Sequence, residues 1–117
     1  MTLKFERLVV WQKALDLSAE IHELTRTFPK EELYVLASQM KRAADSVALN
    51  IAEGSTGQTN AGFKQFLGYA VRSGIEVLAC LHLGKRRRLI DEKEFARVSE
   101  MTQEVIKMIH CLRNALH

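Results

Sequence analysis

The sequence predicts an all-α fold, an antiparallel up-down-up-down four-helix bundle. Three observations carry it. Apolar residues recur at alternating steps of four and three along separate stretches, the spacing of a packed helix face and not the alternation of a strand. One proline and six glycines punctuate 117 residues, far fewer breaks than the many turns of an all-β fold need. The breaks that exist leave four stretches of helix length joined by short loops, which pack neighbouring helices antiparallel. The length fits a single domain over residues 1–117, able to bury a core without disulfides or metals.

The first helix is expected over residues 8–27. Val10, Ala14, Leu17, Ile21, Leu24 and Phe28 form its seam, with Trp11, Leu15 and Ser18 beside it. It stops at Phe28-Pro29, because proline lacks an N–H and pushes its predecessor out of the α region. The second helix starts between Glu31 and Leu36, and acidic Glu31 and Glu32 suit the positive end of a helix dipole. Leu36, Met40, Ala43, Val47 and Ile51 make its apolar stripe. Gly54 is expected to close it as a C′ glycine, followed by a polar loop in which Thr59 and Asn60 are candidate N-caps.

The third helix is expected over residues 61–87, with Phe63, Leu67, Ala70, Gly74, Val77 and Leu81 on its seam. Phe66, Tyr69, Ile75 and Leu78 lie off that seam, so this helix carries more apolar surface than one seam consumes, the mark of a partner surface. Gly74 and Gly84 weaken a helix; they fit either close packing or, for Gly84, a fraying end. Asp91 opens the fourth helix, with Glu94 three residues later in a capping-box pattern. Phe95, Val98, Met101, Val105, Met108, Leu112 and Ala115 are its expected core face.

Composition narrows function only by exclusion. The formal charge is +3 and the pI about 9.0, which permits a nucleic-acid partner without requiring one. Cys80 and Cys111 form no CxxC pair; both are expected near core stripes, as small hydrophobes. The apolar run at residues 8–11 is too short for a signal peptide, and no stretch is expected to reach the length of a membrane span. A cytoplasmic protein without a membrane partner is expected. No histidine has a glutamate three residues before it, the spacing that bundle metal sites use. Nucleophile elbows, phosphate-cradling glycine loops and dinucleotide fingerprints are also missing. The expectation is no catalytic, metal or cofactor site and no small-molecule substrate.

Two patterns carry more information. Gln39, Arg42, Ser46, Asn50 and Glu53 fall three, four, four and three apart, forming one polar stripe at about 100° per residue. It reads either as a solvated face or as a hydrogen-bonded network, with Arg72 or Glu76 as candidate partners, that fixes register or assembly. Ala37, Ala44, Ala48 and Ala52 make a ridge of small side chains that lets another helix approach. The run Lys85-Arg86-Arg87-Arg88 ends the third helix, where cations complement the dipole. It also offers contacts to the phosphates of RNA or DNA, with no sequence preference and steep salt dependence.

The motifs Leu8-Val9-Val10-Trp11-Gln12-Lys13-Ala14, Phe28-Pro29-Lys30-Glu31-Glu32-Leu33-Tyr34, Ser38-Gln39, Arg42-Ala43-Ala44, Ser46 and Asn50-Ile51-Ala52-Glu53-Gly54, followed by Phe63 and Phe66-Leu67, cover nearly the whole chain. Together they closely resemble the four-helix-bundle proteins encoded in intervening sequences of bacterial large-subunit ribosomal RNA genes. That family includes the accessory protein of diversity-generating retroelements. The resemblance implies a bundle that assembles into a homopentamer and has no established enzymatic activity. For the retroelement relatives it implies binding to nucleic acid and a reverse transcriptase. Because the polar stripe coincides with the family signature, the resemblance favours a structural or assembly role for it over a merely solvated face. Two positions depart from the family pattern: Val35 stands where a glycine is common, and Ser73-Gly74 inverts the usual Gly-Ser order.

Overall fold

The computed structural model describes residues 3–57 and 59–117. Four helices, α1 (Val9–Thr25), α2 (Ser38–Ser55), α3 (Asn60–Arg86) and α4 (Glu92–Ala115), form the antiparallel bundle. α1 packs on α2 and α4, and α3 packs on the same two. At 1.5 Å per residue the 27 residues of α3 span about 40 Å, which sets the 43 Å long axis of the molecule. A 3₁₀ turn, Lys4–Arg7, precedes α1. A 3₁₀ turn, Lys30–Glu32, and a π turn, Leu33–Ala37, lead into α2.

Every residue of the expected α1 seam is buried. The helix ends at Thr25, two residues earlier than the sequence suggests. The Thr25 hydroxyl donates back to the carbonyls of Ile21 and His22, at 3.0 and 3.2 Å. Phe28 then turns into the core ahead of Pro29. The expected seams of α2 and α3 are buried as well. Of the two candidate caps of α3, Thr59 is the N-cap, its hydroxyl accepting from the Gly62 N–H at 3.0 Å, while Asn60 is the first helical residue; at α4 the Asp91 carboxylate accepts from the Glu94 N–H at 2.7 Å.

Gly54 corrects the sequence reading. It is not a left-handed C′ residue; no described glycine has positive φ. α2 continues through it to Ser55, and the Ser55 and Thr56 hydroxyls close the end on the carbonyls of Ala52 and Glu53. Glycine is needed because α3 crosses here. A Cβ on Gly54 would lie 2.6 Å from the Phe66 Cβ and 3.0 Å from the Phe63 Cδ1. Gly74 and Gly84 serve the same purpose against Ile106 and Ile90, so Gly84 belongs to the packing and not to a frayed end.

The face of α4 is also corrected. Val98 and Val105 are buried as expected, but Thr102 and Ile109 complete the buried line while Met101 and Met108 are only half-buried and Ala115 is exposed. Thr102 tolerates full burial because its hydroxyl donates to the Val98 carbonyl at 2.8 Å. The same rotation leaves Cys111 exposed, while Cys80 is buried. Burial pushes the Cys80 thiol pKa up, and the Glu76 carboxylate adds to it. Contrary to the sequence expectation, α3 is long and apolar enough to cross a membrane by length and composition alone. Its Phe63, Leu67, Val77 and Leu81 are packed into the bundle core.

Two glycine-to-alanine changes therefore have opposite signs. Gly54→Ala gains about 1 kcal/mol of helix propensity but overpacks an immobile Cβ, at about 1–3 kcal/mol, and lowers stability. Gly68→Ala meets nothing within 4 Å and raises stability by up to about 1 kcal/mol. Urea unfolding of both variants checks the pair.

Candidate nucleic-acid interface

The C-terminal end of α3 builds this site. Three backbone N–H groups take up its last carbonyls: Arg87 bonds Leu83 at 3.0 Å, Arg88 bonds Lys85 at 3.0 Å and Leu89 bonds Gly84 at 2.9 Å. The last two bonds define a Schellman termination, whose C′ residue adopts the left-handed conformation that glycine usually supplies. Here that residue is Arg88, with φ of 61°, the sole positive-φ side chain among the described residues. The conformation costs a non-glycine residue about 1–2 kcal/mol.

The four cations that the sequence presents as one run have different surroundings. Lys85 is half-buried; its ammonium lies 2.8 Å from the Glu92 carboxylate and 4.4 Å from the centre of the Phe95 ring. Arg87 reaches across to Glu32 at 3.4 Å, tying the end of α3 to the turn before α2. Among the described residues, Arg86 and Arg88 make no ion pair. They are exposed and, with His82 and Lys85, line an open cavity of about 400 Å³. His82 stands edge-on to Phe95, with ring centres 4.9 Å apart. Sequence reasoning did not single out His82, which lies one helical turn before the run; that spacing was the available signal.

The polar stripe of α2 divides into two parts. Ser46 and Asn50 are half-buried. The Asn50 amide donates to the Ser46 carbonyl at 2.8 Å and to its hydroxyl at 2.9 Å, and the Ser73 hydroxyl of α3 donates to the Ser46 hydroxyl at 2.9 Å. The partner on α3 is thus Ser73, not Arg72 or Glu76. The Ser73-Gly74 order turns the hydroxyl towards α2 and the glycine towards Ile106. Gln39, Arg42 and Glu53 are exposed, and among the described residues their side chains make no hydrogen bond or ion pair.

Ala37, Ala44 and Ala48 of the alanine ridge are buried, and Ala48 and Ala52 lie beside Trp11 and Leu15 of α1. These two alanines floor an apolar cavity of about 390 Å³, walled by Phe5, Trp11, Leu15 and Leu49. Leu49 is 67% exposed and Tyr34, in the turn before α2, is 89% exposed. Beside this groove Asp45 accepts from the Ser18 hydroxyl and lies 3.1 Å from the His22 Nε2. Serine and histidine share one carboxylate, so the imidazole does not stand between hydroxyl and carboxylate as it does in a nucleophilic triad. On the opposite side, Arg97 bridges Glu20 and Glu94, whose hydrogen bonds hold its guanidinium pKa above its ordinary value.

The family model described as 23S rRNA-intervening sequence protein matches residues 6–111. A crystal structure of a protein of unknown function from the S23 ribosomal protein family of Bacteroides thetaiotaomicron VPI-5482 superposes with a TM-score of 0.81. The alignment covers 90% of this chain and 98% of the other at 22% identity, a likeness of fold. No curated protein matches the chain.

The divided stripe predicts unequal stability effects. Asn50→Ala breaks two half-buried hydrogen bonds and lowers stability by about 1–3 kcal/mol. Arg42→Ala and Glu53→Ala, measured in dilute monomer, stay within about 0.5 kcal/mol of the parent. Urea denaturation of the three variants distinguishes them.

Proposed function

The chain belongs to the 23S rRNA-intervening sequence protein family, and from that premise we propose that it is a non-enzymatic, oligomeric helical scaffold of the cytoplasm that contacts RNA or DNA through basic patches. The observation that carries this reading is the corner after α3, where Arg86 and Arg88 lie exposed beside an open cavity and among the described residues pair with no acid. Guanidinium groups so placed suit phosphate oxygens. Two charges hold a polyanion weakly. A homopentamer repeats the corner five times, and the summed charge raises affinity while keeping it sequence-independent.

Self-association has its own support in the exposed apolar side chains. Val9, Tyr34, Leu49 and Ile75 are each more than half exposed, and two unbonded members of the polar stripe, Arg42 and Glu53, lie on the same face of α2 as Leu49. Burial of Leu49 between subunits, with these polar groups paired around it, makes the stripe an assembly surface. A second reading, a protein–protein adaptor without nucleic acid, is favoured by the apolar groove between α1 and α2.

Light scattering coupled to size exclusion should give a mass near five times the 13.3 kDa of one chain; a monomer at working concentration removes the scaffold reading. Labelled structured RNA, titrated at two salt concentrations, should bind more weakly at the higher one. Replacing Lys85, Arg86, Arg87 and Arg88 together by Ala should flatten the salt dependence by about one unit of log–log slope per lost phosphate contact. Equal weak binding by both proteins favours the adaptor.

A further inference from the structure

We propose that the basic run divides by role: Arg86 and Arg88, with His82, clamp a phosphodiester group of the nucleic acid, whereas Lys85 and Arg87 are positioning residues that fix the corner. This inference rests on the nucleic-acid reading above and assigns its contacts residue by residue. Lys85 spends its charge on Glu92 and the face of Phe95, and Arg87 spends its charge on Glu32. These two pairs bind the end of α3 to the start of α4 and to the turn before α2. The other two guanidiniums and the His82 ring line, together with the paired Lys85, one cavity of about 400 Å³.

The backbone supplies an independent observation. Arg88 holds the left-handed conformation at a position where glycine would sit without strain. A charged side chain is kept there against conformational preference, and such retained strain points to a task for the side chain. The left-handed turn also brings Arg88 to the same cavity as Arg86, two residues earlier. An anion at a helix C-terminus ordinarily meets the negative end of the dipole. Here the carbonyls of Leu83, Gly84 and Lys85 are already bonded by backbone N–H groups, which leaves fewer free carbonyls to oppose an anion beside the guanidiniums.

Arg88→Gly separates strain from charge, because glycine keeps the turn and removes the cation. Thermal unfolding should rise by roughly 2–8 °C, while affinity for labelled structured RNA should fall about tenfold, the order of one charge-assisted hydrogen bond. The salt slope should become shallower by about one unit per lost contact. Arg86→Ala should weaken binding similarly without the thermal gain. Full RNA affinity in both variants, with the wild type binding in a salt-dependent way, overturns the clamp and leaves the broader reading standing. Wild type that fails to bind RNA even at low salt overturns both. A thermal midpoint of Arg88→Gly at or below wild type overturns the strain argument on which the assignment of Arg88 depends.

Discussion

The molecule depends on the crossing of α2 and α3 at Gly54. The absence of a side chain there lets Phe63 and Phe66 come against the backbone of α2. It fixes one end of the longest helix. The other end is fixed where Gly84 meets Ile90 and where Lys85 and Arg87 reach Glu92 and Glu32. Between these ends the register of α3 on α2 is set, and Ser73 falls opposite Ser46. Hydrophobic burial supplies the driving force along all four seams, but the close crossings at Gly54, between α2 and α3, and at Gly74, between α3 and α4, decide how the helices slide. The position of the basic corner is a consequence of that register.

The same constraint links fold to function. A helix anchored at both ends holds the backbone of its C-terminal corner, so Arg86 and Arg88 project from a defined place. A fixed backbone leaves less conformational freedom to lose on meeting a phosphate. Among the apolar side chains left outside, Tyr34 stands in the turn that Arg87 ties to the basic corner, whereas Leu49 lies on a different part of the surface, beside the groove between α1 and α2. Assembly and nucleic-acid contact can then use separate surfaces of one chain, as the proposed scaffold requires.

Much of this was legible in the sequence. The α1 seam from Val10 to Phe28 was read correctly residue by residue, because its apolar spacing is unbroken and proline marks its end. Gly54 was misread because a terminating glycine and a crossing glycine look alike in one dimension; the partner, Phe66, decides between them. On α4, Thr102 carries no apolar signal for the core, and bonding to the carbonyl four residues back is what fits it for burial. The run of four cations read as uniform because Glu32 and Glu92, which neutralise two of them, approach only in the folded chain. The left-handed Arg88 left no trace in composition, since the expected glycine is simply not there.

The most direct test of the account is ultraviolet crosslinking of the assembled protein to structured RNA, with crosslinked peptides mapped by mass spectrometry. The account predicts crosslinks concentrated at residues 82–88, at the end of α3. Crosslinks confined to the groove between α1 and α2, with none at that corner, would contradict it.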